Sequence, residues 1–92
     1  MAIQVQIPVA LARYAENKDS WELEGRSVEE ALSALTKKFP TLKGHLFGED
    51  GKLRHFVNIY VNEEDIRYGK ALHTPLKTGD VVTIVPSIAG GR

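Results

Sequence analysis

Ile3, Val5 and Ile7 alternate with Gln4 and Gln6, the two-residue period of a strand with one buried face, and Pro8 ends it. Trp21 and Leu23 alternate in the same way with Ser20, Glu22 and Glu24, predicting a second strand that stops at Gly25. Residues 10–18 between them lean polar and read as a loop with Leu11 or Tyr14 tucked in, so the two strands form a hairpin with a long connection. At Ser27 the period changes. Val28, Ala31, Leu32, Leu35 and Phe39 recur at helical spacing, Ser27 and Glu30 form a capping box, and Lys37 and Lys38 complement the dipole of the last turn before Pro40.

Residues 40–53 read as a linking segment in which Leu42, Leu46 and Phe47 plug the core, with a turn at Asp50-Gly51. Residues 55–61 alternate again, with Val57, Ile59 and Val61 on one face and Phe56, Asn58 and Tyr60 on the other. Residues 62–65 turn the chain, residues 66–68 are expected to add a short strand, and residues 75–80 turn it again. The last strand, residues 81–85, is so rich in β-branched side chains that it belongs at the centre of a sheet. A first and a last strand that are both strongly apolar predict a parallel central pair. The order β-β-α-β-(β)-β then gives an α+β fold of the β-grasp type, a mixed four- to five-stranded sheet with one main helix.

Composition narrows the function. The 92 residues make one small domain, expected to occupy residues 1–86, with a flexible tail over residues 87–92. The chain has no cysteine, which excludes disulfides, thiolate metal sites and a cysteine nucleophile. Lys plus Arg equals Asp plus Glu at twelve each, with the signs interspersed, which argues against a nucleic-acid footprint. The first residues lack the charged and apolar regions of a signal peptide, and no apolar run approaches membrane-spanning length, so a cytoplasmic protein without a membrane partner is expected.

The chain ends Ile88-Ala89-Gly90-Gly91-Arg92. A diglycine passes where any Cβ would clash, at the highest backbone-entropy cost of any pair. Five extended residues, 87–91, reach at most ~17 Å, far enough to thread a narrow slot while the body docks outside. Two internal stretches add to this: Phe56-Val57-Asn58-Ile59-Tyr60-Val61-Asn62-Glu63-Glu64-Asp65-Ile66-Arg67, and residues 74–86, TPLKTGDVVTIVP. Together with the diglycine they resemble the ubiquitin-like prokaryotic sulfur carriers, the family of the molybdopterin-synthase small subunit and the thiamine-pathway carrier. Within it, the resemblance is nearest to the carriers that deliver sulfur for cysteine biosynthesis.

The resemblance implies a carrier with no catalytic residues, metal or cofactor of its own. An ATP-dependent adenylating enzyme of the ubiquitin-activating type would convert the Gly91 carboxylate to an acyl-adenylate. A sulfur donor would displace AMP, and the thiocarboxylate would pass sulfur to an acceptor enzyme. Phe56, Tyr60, Val81 and Val85, beside the tail, are the expected partner-docking residues, on a face assigned by period alone. Arg92 departs from the family's free diglycine end, and a JAMM-type protease or a carboxypeptidase is the expected means of its removal. A monomer suits a shuttle. A ubiquitin-like modifier using the same tail for isopeptide bonds, and a non-covalent interaction module, are the other readings.

The remaining constellations favour plain structural roles. His45, His55 and His73 lack the spacing of zinc ligands. Glu49-Asp50-Gly51 and residues 62–65 lack that of a calcium loop. Lys52, Arg54 and Arg67 near Phe56 and Tyr60 could form a nucleic-acid surface, against which the zero net charge weighs. Trp21, Phe39, Leu46 and Phe47 read as core.

Overall fold

A computed structural model describes residues 2–54 and 57–86, with Tyr68 described by its backbone alone. The elements are β1 (Ala2–Gln6), α1 (Val9–Ala12), β2 (Ser20–Glu24), α2 (Val28–Lys38), α3 (Pro40–Leu46), β3 (Val57–Val61), β4 (Glu64–Asp65) and β5 (Val81–Pro86). The five strands form one sheet in the order β2-β1-β5-β3-β4. β1 and β5 pair in parallel at the centre, Gln4 opposite Val81 and Gln6 opposite Thr83, as the apolar first and last strands require. The other pairings are antiparallel. This is the mixed sheet of the β-grasp fold, and the expected hairpin of the first two strands is its first half.

Alternation decides which face is covered. Ile3, Val5, Val57, Ile59, Val82 and Ile84 point to one side and are buried there beneath Val28, Ala31, Leu32 and Leu35 of α2. The start of α2 follows the capping pattern, with a refinement. Ser27 Oγ accepts from the Glu30 amide at 3.2 Å, but Glu30 Oε1 reaches one residue further back, to the Arg26 amide at 2.9 Å. The Ser27 segment is also bridged to Pro75, which ties the helix start to the loop before β5. Gly25, between β2 and α2, is buried, and a Cβ there would stand 2.9 Å from the Ala31 nitrogen. Because backbone atoms cannot swing aside, Gly25→Ala is expected to cost about 1–3 kcal/mol of stability, measured as a lower urea midpoint at unchanged m-value.

Three segments differ from the sequence reading. Residues 10–18 are largely helical: α1 runs into a single 3-10 turn over Arg13–Ala15, and Leu11 and Tyr14 do pack against the core. Pro40 separates two helices, ending α2 and standing at the start of α3, where its missing N–H has no partner to lose. Residues 40–46 are thus helical, not a plain link, and bury Leu42 and Leu46 fully. The fourth strand is Glu64–Asp65, and the expected strand at residues 66–68 is instead a 3-10 turn. The cause lies in the hairpin tip: Asn62 (φ 50°) and Glu63 (φ 78°) are both left-handed, as in a two-residue turn that matches strand twist, so pairing resumes at once. His55 and Phe56, the tail residues 87–92, and with them the proposed division at residue 86, lie outside the described residues.

Candidate functional site

The helices cover one face of the sheet, and the other carries the expected docking residues. Gln4, Gln6, Ser20, Glu22, Asn58, Tyr60, Val81, Thr83 and Val85 share it, because residues opposite one another in the ladder point the same way. Asn58 stands opposite Val85, and Tyr60 opposite Thr83. Tyr60 and Val81 are half-buried, while Val85 is 37% exposed, one of two large apolar side chains so open among the described residues. Tyr60, Glu63, Thr83 and Val85 line a shallow depression. The face assigned by period therefore holds for Tyr60, Val81 and Val85, and Phe56 lies outside the described residues. Pro86, opposite Val57, is the last described residue, and the diglycine follows it in the sequence at residues 90 and 91.

Thr83 and Glu63 belong to this depression and were not singled out from the sequence. Thr83 could have been, since it alternates with Val81 and Val85. Glu63 could not, because its position depends on the tight hairpin tip.

A polar clamp around the buried Asp80 fixes the start of β5. The Asn62 amide donates to the Val81 carbonyl at 2.9 Å, and the Val81 amide donates to Asn62 Oδ1 at 3.0 Å. Asn62 Nδ2 donates to Asp80 Oδ1 at 2.9 Å, and the Lys77 amide donates to Asp80 Oδ2 at 2.9 Å. These bonds set the register of β5 on β3, and hence which residues reach the open face. They also hold the Asp80 carboxyl below its usual range, chiefly through the Lys77 backbone amide and then through Asn62. A carboxyl lowered in the folded state stabilises the fold above its ordinary value near 3.8, and that contribution is lost as pH falls through the folded value. Asp80→Asn is therefore expected to flatten the acid limb of stability below about pH 4, read as urea midpoints across pH.

Asp65 is lowered as well, by hydrogen bonds from the Arg67 guanidinium and backbone amide, with Arg67 Nη2 2.8 Å from Oδ2. His45 is engaged in a stack on Tyr14, with ring centroids 4.3 Å apart. Among the described residues no group of three His, Asp or Glu side chains could hold a metal ion, and no helix is long and apolar enough to cross a membrane. What the site offers is a partly apolar sheet face running to the strand that carries the tail.

Against this geometry, the sequence model of the ThiS family matches residues 5–91. The chain belongs to the ThiS family. The sulfur carrier protein CysO of Mycobacterium tuberculosis is 37% identical over 93 residues, spanning 99% of this chain and all of the relative. Small archaeal modifier protein 1 of Haloferax volcanii is 34% identical over 65 residues, 71% of this chain and 70% of the relative. Among solved structures, a chain of the Amycolatopsis orientalis BexX/CysO complex superposes with a TM-score of 0.87 at 36% identity, covering 97% of this chain and 99% of that one. The sulfur-carrier resemblance read from residues 56–67, 74–86 and the diglycine thus holds over almost the whole chain, and the fold is that of a ubiquitin-like carrier of the CysO-like type.

Proposed function

We propose that this ThiS-family protein carries sulfur on its C-terminal Gly91 as a thiocarboxylate, after Arg92 has been removed. The observation that carries the reading is the full-length match to CysO sulfur carriers, in a chain whose last strand delivers a diglycine. A carboxylate is a poor electrophile. An adenylating partner of the ubiquitin-activating type joins its oxygen to the α-phosphorus of ATP and releases pyrophosphate. Hydrosulfide released by a sulfur donor then attacks the acyl carbon, AMP leaves with the bonding electrons, the sulfur's proton passes to solvent, and the C-terminal thiocarboxylate remains. An acceptor enzyme takes the sulfur from there, with cysteine biosynthesis as the destination nearest the CysO relatives and molybdopterin behind it.

In this reading the chemistry belongs to the partners, and the chain supplies the handle and the docking face. Tyr60, Val81 and Val85, together with Phe56, meet the partner, while Gly90 and Gly91 enter its slot. The structure of an Amycolatopsis orientalis CysO in complex with BexX supports a docking protein of this kind. Arg92 places the terminal carboxylate one residue beyond Gly91, so a peptidase of the JAMM type or a carboxypeptidase gates the cycle. The protein acts as a monomer in the cytoplasm, and its residues 87–92 work as a separate tail on the body formed by residues 1–86.

The relatives among archaeal modifier proteins favour a second reading, in which a lysine amine attacks the same adenylate and forms an isopeptide bond. The intact mass of the protein from its own host separates the two. A species lacking one arginine residue, with one oxygen exchanged for sulfur, is the expected result. Retention of Arg92 in every molecule under sulfur-demanding growth would overturn the carrier reading. Adducts to other proteins, with no free thiocarboxylate, would establish the modifier instead.

A further inference from the structure

Away from the tail, β2 is an edge strand of the sheet. The Ile7 amide donates to the Asp19 carbonyl at 2.8 Å, which sets the phase of the β1–β2 ladder. Antiparallel pairs alternate between bonded and non-bonded. Trp21 and Leu23 therefore turn their amides and carbonyls toward β1, whereas Ser20 and Glu22 turn theirs outward. Two residues of backbone donors and acceptors thus line an open edge. Such an edge is a template for another strand unless something blunts it.

What flanks this edge is specific. On the helix side stand Trp21 and Leu23, both half-buried. Trp21 is held in place: its Nε1 donates to the Ala15 carbonyl at 3.2 Å, and its ring lies tilted against Phe39 with centroids 5.0 Å apart. Two exposed lysines converge on the same indole, with Lys18 Nζ 4.2 Å and Lys38 Nζ 5.0 Å from the ring centroid. Neither has a carboxylate partner among the described residues. Lys18 comes from the turn before β2 and Lys38 from the last turn of α2, so separate elements bring two like charges to one ring. An indole face attracts each ammonium group but leaves both charges uncompensated.

We propose that the β2 edge receives an extended, acidic segment of a partner protein, added antiparallel to β2. Its backbone pairs with Ser20 and Glu22. An apolar side chain rests at the level of Leu23, and one or two carboxylates two residues further along come to rest between Lys18 and Lys38 beside Trp21. The lysines complement acidic side chains, and the free amides and carbonyls select an extended polypeptide, which a nucleic acid cannot imitate. This surface is independent of the tail, and its test needs no sulfur chemistry.

The only tryptophan of the chain is the reporter. The full-length protein is titrated with a synthetic extended peptide that alternates isoleucine and threonine and ends in two glutamates, followed by Trp21 fluorescence and by amide chemical shifts. The expected result is saturable change at Trp21, with the largest amide shifts at Ser20 and Glu22. Binding is expected to weaken about ten-fold when lysines replace the peptide's glutamates, and about ten-fold for the double variant Lys18→Glu, Lys38→Glu. Lys77→Glu, in the loop before β5, is expected to change little. The altered peptide leaves the protein untouched, so a folding defect in the variant cannot mimic the effect. Equal binding of the lysine peptide, or shifts centred on Tyr60 and Thr83, would overturn the proposal. So would a single-stranded oligonucleotide that occupies Trp21 when the acidic peptide does not, or a second copy of the chain found on this edge by sedimentation.

Discussion

Replacing Gly90 and Gly91 together by alanine is expected to leave the fold and its stability unchanged while reducing thiocarboxylate formation at least about a hundred-fold. Both positions follow the last strand, Val81–Pro86, in the sequence. In the proposed cycle the acyl carbon must reach bound ATP through a slot that closes on bare backbone. Two methyl groups there displace the reacting carboxylate, and a misplacement of about 1 Å costs about a hundred-fold in rate. The check pairs two measurements on a chain ending at residue 91: adenylate-dependent pyrophosphate release with the activating partner, and the urea midpoint. Normal turnover by the alanine variant would remove the diglycine from the mechanism. A lowered midpoint would mean that the tail belongs to the folded body.

The largest expected effect on stability comes from Leu35→Ala. Leu35 is fully buried on the inner face of α2, in the same cluster as Leu32, Leu42 and Leu46. Truncating a buried leucine removes its transfer free energy and leaves a cavity, together about 2.7–5 kcal/mol. A 92-residue domain has roughly 5–14 kcal/mol in all. The variant is therefore expected to lose a large part of its stability, with a steep fall in melting temperature by calorimetry. A loss under about 1 kcal/mol would show that α2 and α3 can close around the missing side chain.

These two sites were not equally legible in the sequence. Strand and helix periods located the core because burial repeats in register with the element: Ile3, Val5, Val82, Ile84 and the α2 stripe were all readable that way. The central parallel pair followed from the apolarity of β1 and β5. Segments where local preference and burial disagree were harder. In α3, a proline and Gly44 spoil the helical pattern, yet the burial of Leu42 and Leu46 offsets a glycine cost of about 1 kcal/mol. The hairpin tip places Glu63 in a conformation that side chains rarely adopt, so the turn was read as longer than it is. At the site, alternation put Tyr60, Val81 and Val85 on the open face. The clamp of Asn62 and Asp80 joins residues eighteen apart and had no local signature. Trp21 read as core, and it is partly so, but the two lysines that meet on it come from distant segments.

The parallel pairing of β1 with β5 also has a consequence for synthesis. The strand at the centre of the sheet, Val81–Pro86, is the last of the five to be made. Until it arrives, β1 and β3 have no common neighbour, and the α2 stripe has half a floor. Contacts of such long sequence separation form late and close the structure cooperatively. The body therefore cannot fold progressively as it emerges, and any chain broken off before β5 lacks a closed core.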